Sequence, residues 1–497
     1  MVDLSTEQLR LMSEHFPEEV GYKNLASGEV LTFRDWHERS NRLARGLVAA
    51  GVAKTDRVAI YVPPDEVLDW IVAYAAVHKA AAVAIPASTR MAPRELQYVF
   101  DHAGASAVLF GRTLTTAVDE LAGTVASLRL VSRAPFDELM AREGGHFQVP
   151  VAGDDLAEIM YTSGTTGRPK GVVVRYRNSA LIPNGIPNWT GGGWMHASPL
   201  FTFAGIASVY NPMKLGMSGL FLPKFDVTQW LECVARERPA AIFLVPAMAQ
   251  LLLADERFRA VDLSFVQLCS LGSAPLPPET QRRLQERMPQ ATVTNGYGMT
   301  EAGPAYCAMP REEAGKRIGS VGKPLPPVEF RIVAEDGSEL PARDVGELVI
   351  RMPGREREYY NDPEATARTW RNDGLHTGDL GYLDEDGYLY IVGRIKDVII
   401  RGGNNIHSAD VEAVLYEHPA VLEAAVAGIP HEVLGEDVAA WVVPRPGAHP
   451  TTEDLRAFCL ERLADYKVPR RIAFVDELPR NPTGKVLKRQ LVERLEA

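Results

Sequence analysis

Residues 161–171 combine glycines, hydroxyls and cations at a spacing suited to phosphate binding. They read Y-T-S-G-T-T-G-R-P-K-G and lie between two apolar stretches that are typical of strands. Gly164 and Gly167 permit backbone angles that other residues avoid, so neighbouring N–H groups can form a nest for phosphate oxygens. Arg168 and Lys170 add positive charge. The predicted phosphate contacts are Thr162, Ser163, Gly164, Thr165, Thr166, Gly167 and Lys170.

This loop differs from the kinase-type phosphate loop, G-x-x-x-x-G-K-[ST]. Lys170 follows Pro169, no Ser or Thr comes after it, and the exit is apolar. By composition alone such a loop is usually a surface turn. The string resembles the phosphate loop of the adenylate-forming superfamily, which includes acyl-CoA synthetases, luciferases and peptide-synthetase adenylation domains.

A second motif, N-G-Y-G-M-T-E, occupies residues 295–301. Tyr297 offers a flat face between two glycines, which suits stacking against a purine, and Thr300 could bond a phosphate. Glu301 could hold Mg²⁺, which prefers oxygen ligands. A glycine turn with an exposed acid is the alternative. The longer string over 296–304 resembles that of plant 4-coumarate–CoA ligases. The resemblance implies nucleotide contacts at Gly272, Ser273, Ala274, Pro275, Asn295, Gly296, Tyr297, Gly298 and Met299.

A third motif surrounds Asp379 and Arg394, in the strings T-G-D and G-R. In the superfamily the carboxylate accepts bonds from both ribose hydroxyls and the arginine joins it. A carboxylate suits a vicinal diol because it accepts two hydrogen bonds and donates none. Alternatively these residues form only a turn and a surface pair. The resemblance further implies that Lys396 is the hinge between an N-terminal domain, 1–394, and a C-terminal domain, 395–497.

The C-terminal segment carries two further motifs. Gly402 and Gly403 resemble glycines that leave room for the pantetheine of CoA, although Asn404, Ser408 and Asp410 depart from the usual pattern. These departures weaken the expectation for the CoA step more than for adenylation. The string N-P-T-G-K ends at Lys485, which the resemblance makes catalytic together with Thr300 and Glu301. A lone lysine there would otherwise be a solvated charge.

The acid pocket is predicted from three segments, 199–205, 272–275 and 295–304. Its predicted contacts are Phe201, Thr202, Gly296, Gly298 and Gly303. The glycines leave space, and Thr202 is smaller than the histidine or aromatic residue common in relatives. The segments contain no Arg or Lys. A second substrate carboxylate would be unpaired there, so we expect an aryl or medium-chain monocarboxylic acid.

The elements that must position these motifs follow a regular pattern. Strands and helices alternate over about 30–150 and 175–300, which indicates two α/β units with parallel sheets. From about residue 328, hairpin patterns indicate a small β-barrel-like piece, and an α+β unit follows residue 394. Ser408 is a candidate N-cap of a helix through Glu417, and 486–495 fits a solvated helix. The resemblance implies that the two α/β subdomains stack and that the small C-terminal domain is mobile.

Composition excludes several classes of protein. The 497 residues exceed the usual limit of a single core. The net charge of −11 disfavours nucleic-acid binding. The four cysteines form no C-x-x-C pair, and neither a signal peptide nor a membrane span is evident, so a cytoplasmic monomer or homodimer is expected. The most apolar stretch, 70–87, is interrupted by His78-Lys79 and fits a buried helix followed by a strand.

The resemblance spans residues 30–490 and implies an ATP-dependent acid–CoA ligase that uses ATP, Mg²⁺ and CoA. The acid would attack the α-phosphate to give acyl-AMP and pyrophosphate, and a thiol would then displace AMP. One alternative keeps adenylation but passes the acyl group to a carrier protein, an amine or a nitrite-type acceptor. Another is a catalytically silent ligand-binding protein on the same fold, which retention of the charged motif residues disfavours.

Overall fold

The computed structural model describes residues 3–162, 168–180, 182–304, 307–371, 374–481 and 484–496. The helices are α1 (Ser5–His15), α2 (Phe33–Ala49), α3 (Val67–Lys79), α4 (Pro93–Ala103), α5 (Thr115–Ala122), α6 (Phe203–Lys214), α7 (Val227–Glu237), α8 (Pro246–Ala254), α9 (Glu256–Ala260), α10 (Pro278–Arg287), α11 (Arg311–Ala314), α12 (Pro363–Thr369), α13 (Ser408–Glu417), α14 (Thr452–Leu460) and α15 (Lys488–Glu496).

The strands up to residue 304 are β1 (Val20–Asn24), β2 (Val30–Thr32), β3 (Arg57–Tyr61), β4 (Val83–Pro86), β5 (Ala105–Phe110), β6 (Leu130–Arg133), β7 (Leu156–Thr162), β8 (Lys170–Arg175), β9 (Gly192–His196), β10 (Met217–Phe221), β11 (Ala241–Leu244), β12 (Leu268–Leu271), β13 (Thr292–Asn295), β14 (Gly298–Met299) and β15 (Gly303–Pro304). The later strands are β16 (Cys307–Ala308), β17 (Ser320–Pro324), β18 (Glu329–Val333), β19 (Gly346–Arg351), β20 (Glu358–Tyr359), β21 (Trp370–Arg371), β22 (Gly374–Leu383), β23 (Leu389–Arg394), β24 (Val398–Arg401), β25 (Asn404–His407), β26 (Val421–His431), β27 (Gly435–Pro444) and β28 (Arg471–Phe474).

The first sheet has seven strands in the order β20-β8-β7-β4-β3-β5-β6. Strands β3 to β7 run parallel, and the apolar residues of all but the edge strand β6 are mostly buried on both faces, as is usual where helices cover a parallel sheet. Strands β7 and β8 are antiparallel and flank the predicted phosphate loop. The prediction of a strand on each side of this segment is therefore confirmed.

The second sheet also has seven strands, in the order β13-β12-β11-β9-β10-β1-β2. Its strands are parallel except for the edge strand β2. The predicted boundaries of the two α/β units were wrong in one respect, because β1 and β2 precede the first sheet in sequence yet belong to the second. The hydrophobic pattern of a strand identifies its buried face but not the sheet that it joins.

A shared layer of helices joins the two sheets. Helix α3 is buried around almost its whole circumference and packs with α2 and α6 between residues of both sheets. The predicted buried helix and strand over 70–87 are thus confirmed as α3 and β4. Within the described part of the chain, no helix has the length and apolar character needed to cross a membrane.

An antiparallel sheet follows, with the order β16-β17-β23-β22-β19-β18 and with β21 beside β22. It corresponds to the predicted β-barrel-like piece and completes the large N-terminal domain. Its neighbouring strands β22 and β23 place Asp379 directly opposite Arg394. These two residues are therefore fixed together by strand register.

The small C-terminal domain is an α+β unit with the sheet order β25-β24-β27-β26 and with β28 beside β27. The predicted N-cap was wrong, because His407 holds the N-cap position of α13 and makes no side-chain cap. The hydroxyl of Ser408 instead accepts a hydrogen bond from Lys488 Nζ at 2.8 Å. The charged helix predicted over 486–495 is present as α15, with Arg489 and Glu493 exposed on its solvated face and Leu491 fully buried on the other face beside Trp441.

Candidate active site

The site begins where two parallel strands end side by side. Strand β12 runs into Gly272, and β13 ends at Asn295 before Gly296. The backbones approach closely, because a Cβ added at Gly272 would lie 3.0 Å from the Gly296 carbonyl oxygen. Crevices at the carboxyl ends of parallel strands are the usual ligand sites of such sheets. The predicted nucleotide contacts at 272–275 and 295–299 lie together at this edge.

Ser273 in this turn adopts a left-handed backbone with φ of 70°. Such a conformation is uncommon for a residue with a side chain and is concentrated at ligand sites. The Ser273 residue is exposed. Its backbone is therefore set by the turn rather than by side-chain packing.

Tyr297, Asp379 and Arg394 form a continuous hydrogen-bonded group. The Tyr297 hydroxyl donates to Asp379 Oδ2 at 2.6 Å, and Arg394 Nε donates to the other carboxylate oxygen at 2.8 Å. Burial and the charge of Asp379 raise the pKa of the Tyr297 phenol well above its usual value. Burial lowers the pKa of Arg394, but Asp379, Asp397 and Tyr297 together outweigh this effect and the net shift is upward. The group therefore presents a fixed carboxylate beside a half-buried aromatic ring.

Glu301 and Lys170 are linked through Tyr359, a residue that the sequence reasoning missed. The Tyr359 hydroxyl donates to Glu301 Oε1 at 2.9 Å, and Lys170 Nζ lies 4.7 Å from the Tyr359 ring centroid. Strand β20 pairs with β8 and so carries Tyr359 to the edge of the phosphate loop. Its position two residues before the string N-D-P-E-A-T, residues 361–366, was the available sequence signal.

Part of the predicted phosphate loop is outside the described residues. Ser163, Gly164, Thr165, Thr166 and Gly167 lie in that part. At its two ends Thr162 pairs with Lys170 across the β7–β8 ladder. Arg168 lies over the ring of Tyr98, 5.3 Å from its centroid. Both cations of the loop are thus held against aromatic rings.

Hydrogen bonds to Asn481 fix the backbone at Gly484 and Lys485. The Lys485 N–H donates to Asn481 Oδ1 at 2.9 Å, and the Gly484 N–H donates to the Asn481 carbonyl at 2.9 Å. The side chain of Lys485 is accessible to solvent. The surrounding protein nevertheless partly desolvates its ammonium and so lowers its pKa, and the positive charge of Arg394 lowers it further. The charges of Asp379 and Glu301 oppose the shift. The small domain therefore brings Lys485 into the same electrostatic environment as the two carboxylates of the large domain.

Lys396 lies in the short turn Ile395–Asp397 that connects β23 to β24. Desolvation lowers the pKa of its exposed side chain, and Arg394 and Lys488 act in the same direction. Gly402 and Gly403 form the exposed turn between β24 and β25, with φ of 57° and 83°. A two-residue hairpin turn with both φ values positive favours glycine in any protein, so this geometry accounts for both residues without a ligand.

Of the predicted acid-pocket segments, 199–205 contains the start of α6. Phe201 and Thr202 are half-buried, and the Thr202 hydroxyl accepts from the Gly205 N–H at 3.1 Å as the N-cap. Gly296 and Gly298 are exposed. At Gly303 the expected space is taken, because a Cβ there would lie 3.1 Å from Arg357 Nη2.

Arg357 approaches these segments from outside and was missed in the sequence. Its Nη1 donates to the Thr300 carbonyl at 2.6 Å, and its guanidinium lies 5.6 Å from the Phe203 ring centroid. The expectation that no cation borders the pocket was therefore wrong. The charge of Arg357 acts on the carboxyl of Glu158, which is also buried and was also missed. The sequence signal was an acid inside the apolar strand β7.

The residues present fit a Mg²⁺ ion held with substrate phosphates. Within the described ranges, no group of three or more His, Cys, Asp or Glu side chains could hold a metal alone. Glu301 supplies a single oriented carboxylate. Mg²⁺ is commonly bound by one or two carboxylates together with substrate phosphates.

Two family models match the chain. The model of the AMP-binding enzyme matches residues 12–360, and the model of the AMP-binding enzyme C-terminal domain matches residues 410–485. The chain belongs to the AMP-binding enzyme family. The first match contains the predicted nucleotide contacts up to Met299 together with Tyr359, and the second ends at Lys485.

Three relatives show how far the similarity extends. The chain is 36% identical over 477 residues to a feruloyl-CoA synthase of Amycolatopsis sp, with 94% of each chain covered. It is 32% identical over 485 residues to the fatty acid–[acyl-carrier-protein] ligase ScoC of Streptomyces coeruleorubidus, covering 95% of this chain and 92% of the other. The crystal structure of ATP-bound MatB from Rhodopseudomonas palustris is 31% identical, with a TM-score of 0.88 and 99% of each chain covered. This AMP-binding enzyme thus shares both domains with its relatives.

Proposed function

We propose that this AMP-binding enzyme is an ATP-dependent acid–CoA ligase acting on an aryl or medium-chain monocarboxylic acid. In the first half-reaction a carboxylate oxygen attacks the α-phosphate of ATP, and pyrophosphate leaves. In the second, the CoA thiol attacks the acyl carbonyl, loses its proton and displaces AMP. The observation that carries the proposal is that Lys485 of the small domain shares one charged environment with Glu301 and Asp379 of the large domain.

The large domain would hold the nucleotide. Asp379 would accept the two ribose hydroxyls, with its orientation fixed by Tyr297 and Arg394. The ring of Tyr297 offers a face for the base, while Lys170 and the hydroxyl of Thr300 would contact phosphate oxygens. When bound, Mg²⁺ would neutralise phosphate charge beside Glu301. Such preorganised charges need little rearrangement as charge develops on the reacting phosphate.

The small domain would supply Lys485 to the first half-reaction. Its ammonium would pair with the acid carboxylate and the α-phosphate oxygens. The lowered pKa of Lys485 slightly reduces the fraction of its ammonium that is charged near the pH at which it titrates. The negative charges of Asp379 and Glu301 oppose this shift. We further propose that Lys396 is the hinge, that the domain boundary lies at 394/395, and that rotation brings the Gly402–Gly403 turn to the site for the second half-reaction.

The acid class rests on charge balance around the pocket. Arg357 borders the pocket, but two of its nitrogens donate to the backbone carbonyls of Thr300 and Asn178, and its charge acts on Glu158. A second substrate carboxylate would therefore compete with Glu158 for this cation. Burying it without a partner would cost several kcal/mol. This favours monocarboxylic acids.

The direct test is ATP–pyrophosphate exchange with a panel of aryl, short-chain, medium-chain and dicarboxylic acids, followed by mass spectrometry of products formed with CoA. We expect exchange and an acyl-CoA product with an aryl or medium-chain acid. Arg456 is exposed on α14 of the small domain and serves as the control. Arg456→Ala removes a positive charge there and should leave the rates of pyrophosphate exchange and acyl-CoA formation unchanged. Lack of exchange with every acid would refute the ligase assignment, and a dicarboxylate as best substrate would refute the acid class.

A carrier protein is a second candidate acceptor. Two of the residues that depart from the usual pattern are held within the small domain, Ser408 by Lys488 at 2.8 Å and Asp410 by Lys467 at 2.8 Å. The relative ScoC is named a ligase of an acyl carrier protein. Release of AMP measured with CoA and with a pantetheinylated carrier protein separates the two acceptors, since only the true acceptor should accelerate it.

A further inference from the structure

Glu158 is a carboxyl group buried in the middle of an apolar strand. It lies on β7 and is 2% exposed, and its Oε2 has no hydrogen-bond partner among the described residues. The Tyr74 hydroxyl interacts with the same carboxyl. A buried oxygen without a hydrogen bond costs about 1–3 kcal/mol of folding free energy. We therefore expect a bound group that donates a hydrogen bond to Glu158 Oε2.

Tyr210 presents a second unsatisfied group close by. It lies on α6 and is 7% exposed, and its hydroxyl has no partner in the described part of the chain. Its ring stacks on Trp36 with centroids 5.6 Å apart and an interplanar angle of 3°, so the hydroxyl is held in place. Burial and the charge of Glu158 raise the pKa of this phenol well above its usual value. The hydroxyl therefore remains a hydrogen-bond donor.

These two groups line one small cavity. Its volume is ≈ 20 Å³, and its polar lining includes Glu158, Tyr74, Tyr210, Asn211 and Arg357. We refer to these five residues as the Glu158 cluster. A cavity of this size holds about one water molecule or one small polar substituent. The lining offers an acceptor at Glu158 and a donor at Tyr210.

The cavity shares Phe203 with the predicted acid-pocket segment 199–205. Phe203 and Ala207 of α6 line it, and Phe203 directly follows Thr202. Arg357 belongs to the cluster and also donates to the Thr300 carbonyl at 2.6 Å. Phe203 and Arg357 therefore connect the Glu158 cluster with the predicted acid-pocket segments 199–205 and 295–304.

We propose that the Glu158 cluster is a specificity subsite that recognises a hydroxyl or primary amino substituent on the far end of the acid substrate. The substituent would donate to Glu158 Oε2 and accept from the Tyr210 hydroxyl. This inference rests on the proposed function, because it assigns the far end of the acid that the enzyme activates. A ligand carboxylate would face the carboxyl of Glu158 and is disfavoured.

The test uses matched acids on the scaffold that gives the fastest pyrophosphate exchange. Each pair differs only in a terminal hydroxyl, as in 4-hydroxycinnamate and cinnamate. We expect kcat/KM to favour the hydroxylated acid by at least about tenfold, the effect of one hydrogen bond to a charged or strongly polar group. Glu158→Gln and Tyr210→Phe should each reduce this ratio toward one. General structural damage would lower both rates and leave the ratio unchanged.

Exposed Glu335 provides the control, since Glu335→Gln makes the same chemical change away from the cavity and should keep the wild-type ratio. Equal kcat/KM for the matched acids, with exchange intact, would overturn the subsite and leave the ligase assignment standing. Preference for a terminal carboxylate would also overturn it. Loss of exchange with all acids would refute the proposed function and the subsite together.

Discussion

Glu158→Gln should stabilise the large domain increasingly as the pH rises. Burial raises the pKa of the Glu158 carboxyl from 4.5 to about 7, because the opposing effects of Tyr74 and Arg357 are too small to cancel it. The gap of about 2.5 pKa units corresponds to about 3 kcal/mol at 1.36 kcal/mol per unit. The side chain is 2% exposed, so solvent screening removes little of this value.

The sign follows from proton linkage. The folded state binds the proton of Glu158 more tightly than the unfolded state, so its contribution to stability is complete below pH 4.5 and is lost as the pH rises through about 7. Glutamine carries no such proton. The free energy of unfolding of Glu158→Gln relative to the wild type should therefore rise by about 2–3 kcal/mol between about pH 5 and about pH 8.5.

Urea denaturation followed by tryptophan fluorescence measures this difference. Trp36 and Trp70 lie in the same core as Tyr74, so their signal reports the domain that contains Glu158. Glu335→Gln is the control, and its difference from the wild type should not grow with pH because an exposed carboxylate stays hydrated in both states. Parallel pH profiles for Glu158→Gln and the wild type would refute the reasoning.

Three further predictions concern the site. Lys485→Ala should slow acyl-AMP formation by at least about a hundredfold while still converting supplied acyl-AMP to thioester, because a preorganised charge is worth about 3 kcal/mol; equal loss in both half-reactions would contradict this. Lys396→Pro should preserve one half-reaction and block the other, since proline fixes φ at the proposed hinge; normal rates in both would exclude Lys396. Tyr359→Phe removes the 2.9 Å hydrogen bond to Glu301 but keeps the ring under Lys170, so the Mg²⁺ concentration for half-maximal exchange should rise about tenfold. An unchanged Mg²⁺ titration would separate Tyr359 from the metal site.

Local sequence patterns predicted most helices and strands, because the spacing of buried apolar residues that distinguishes a helix from a strand is visible within a short stretch of sequence. Helix α3, the β7–β8 hairpin and the parallel strands β11 to β13 were anticipated in this way. The resemblance implied that 272–275 and 295–299 belong to one site, and both segments follow parallel strands that end at one edge of the sheet. Ser408 was wrongly predicted as an N-cap because the helix begins one residue earlier than expected, so that His407 holds the N-cap position. The hydroxyl of Ser408 accepts a hydrogen bond from Lys488 instead.

The sequence by itself determined the α/β class, the order of the motifs and membership of the AMP-binding enzyme family, because those features are encoded in short contiguous strings. Only the tertiary structure decided that β1 and β2 join the second sheet, that Tyr359 links Lys170 to Glu301, and that Arg357 meets Glu158 and Thr300. The partners of Arg357 are separated by many residues in sequence, and no periodicity identifies which distant side chains a fold will bring together. The burial that raises the pKa of Glu158 likewise arises from packing between two sheets.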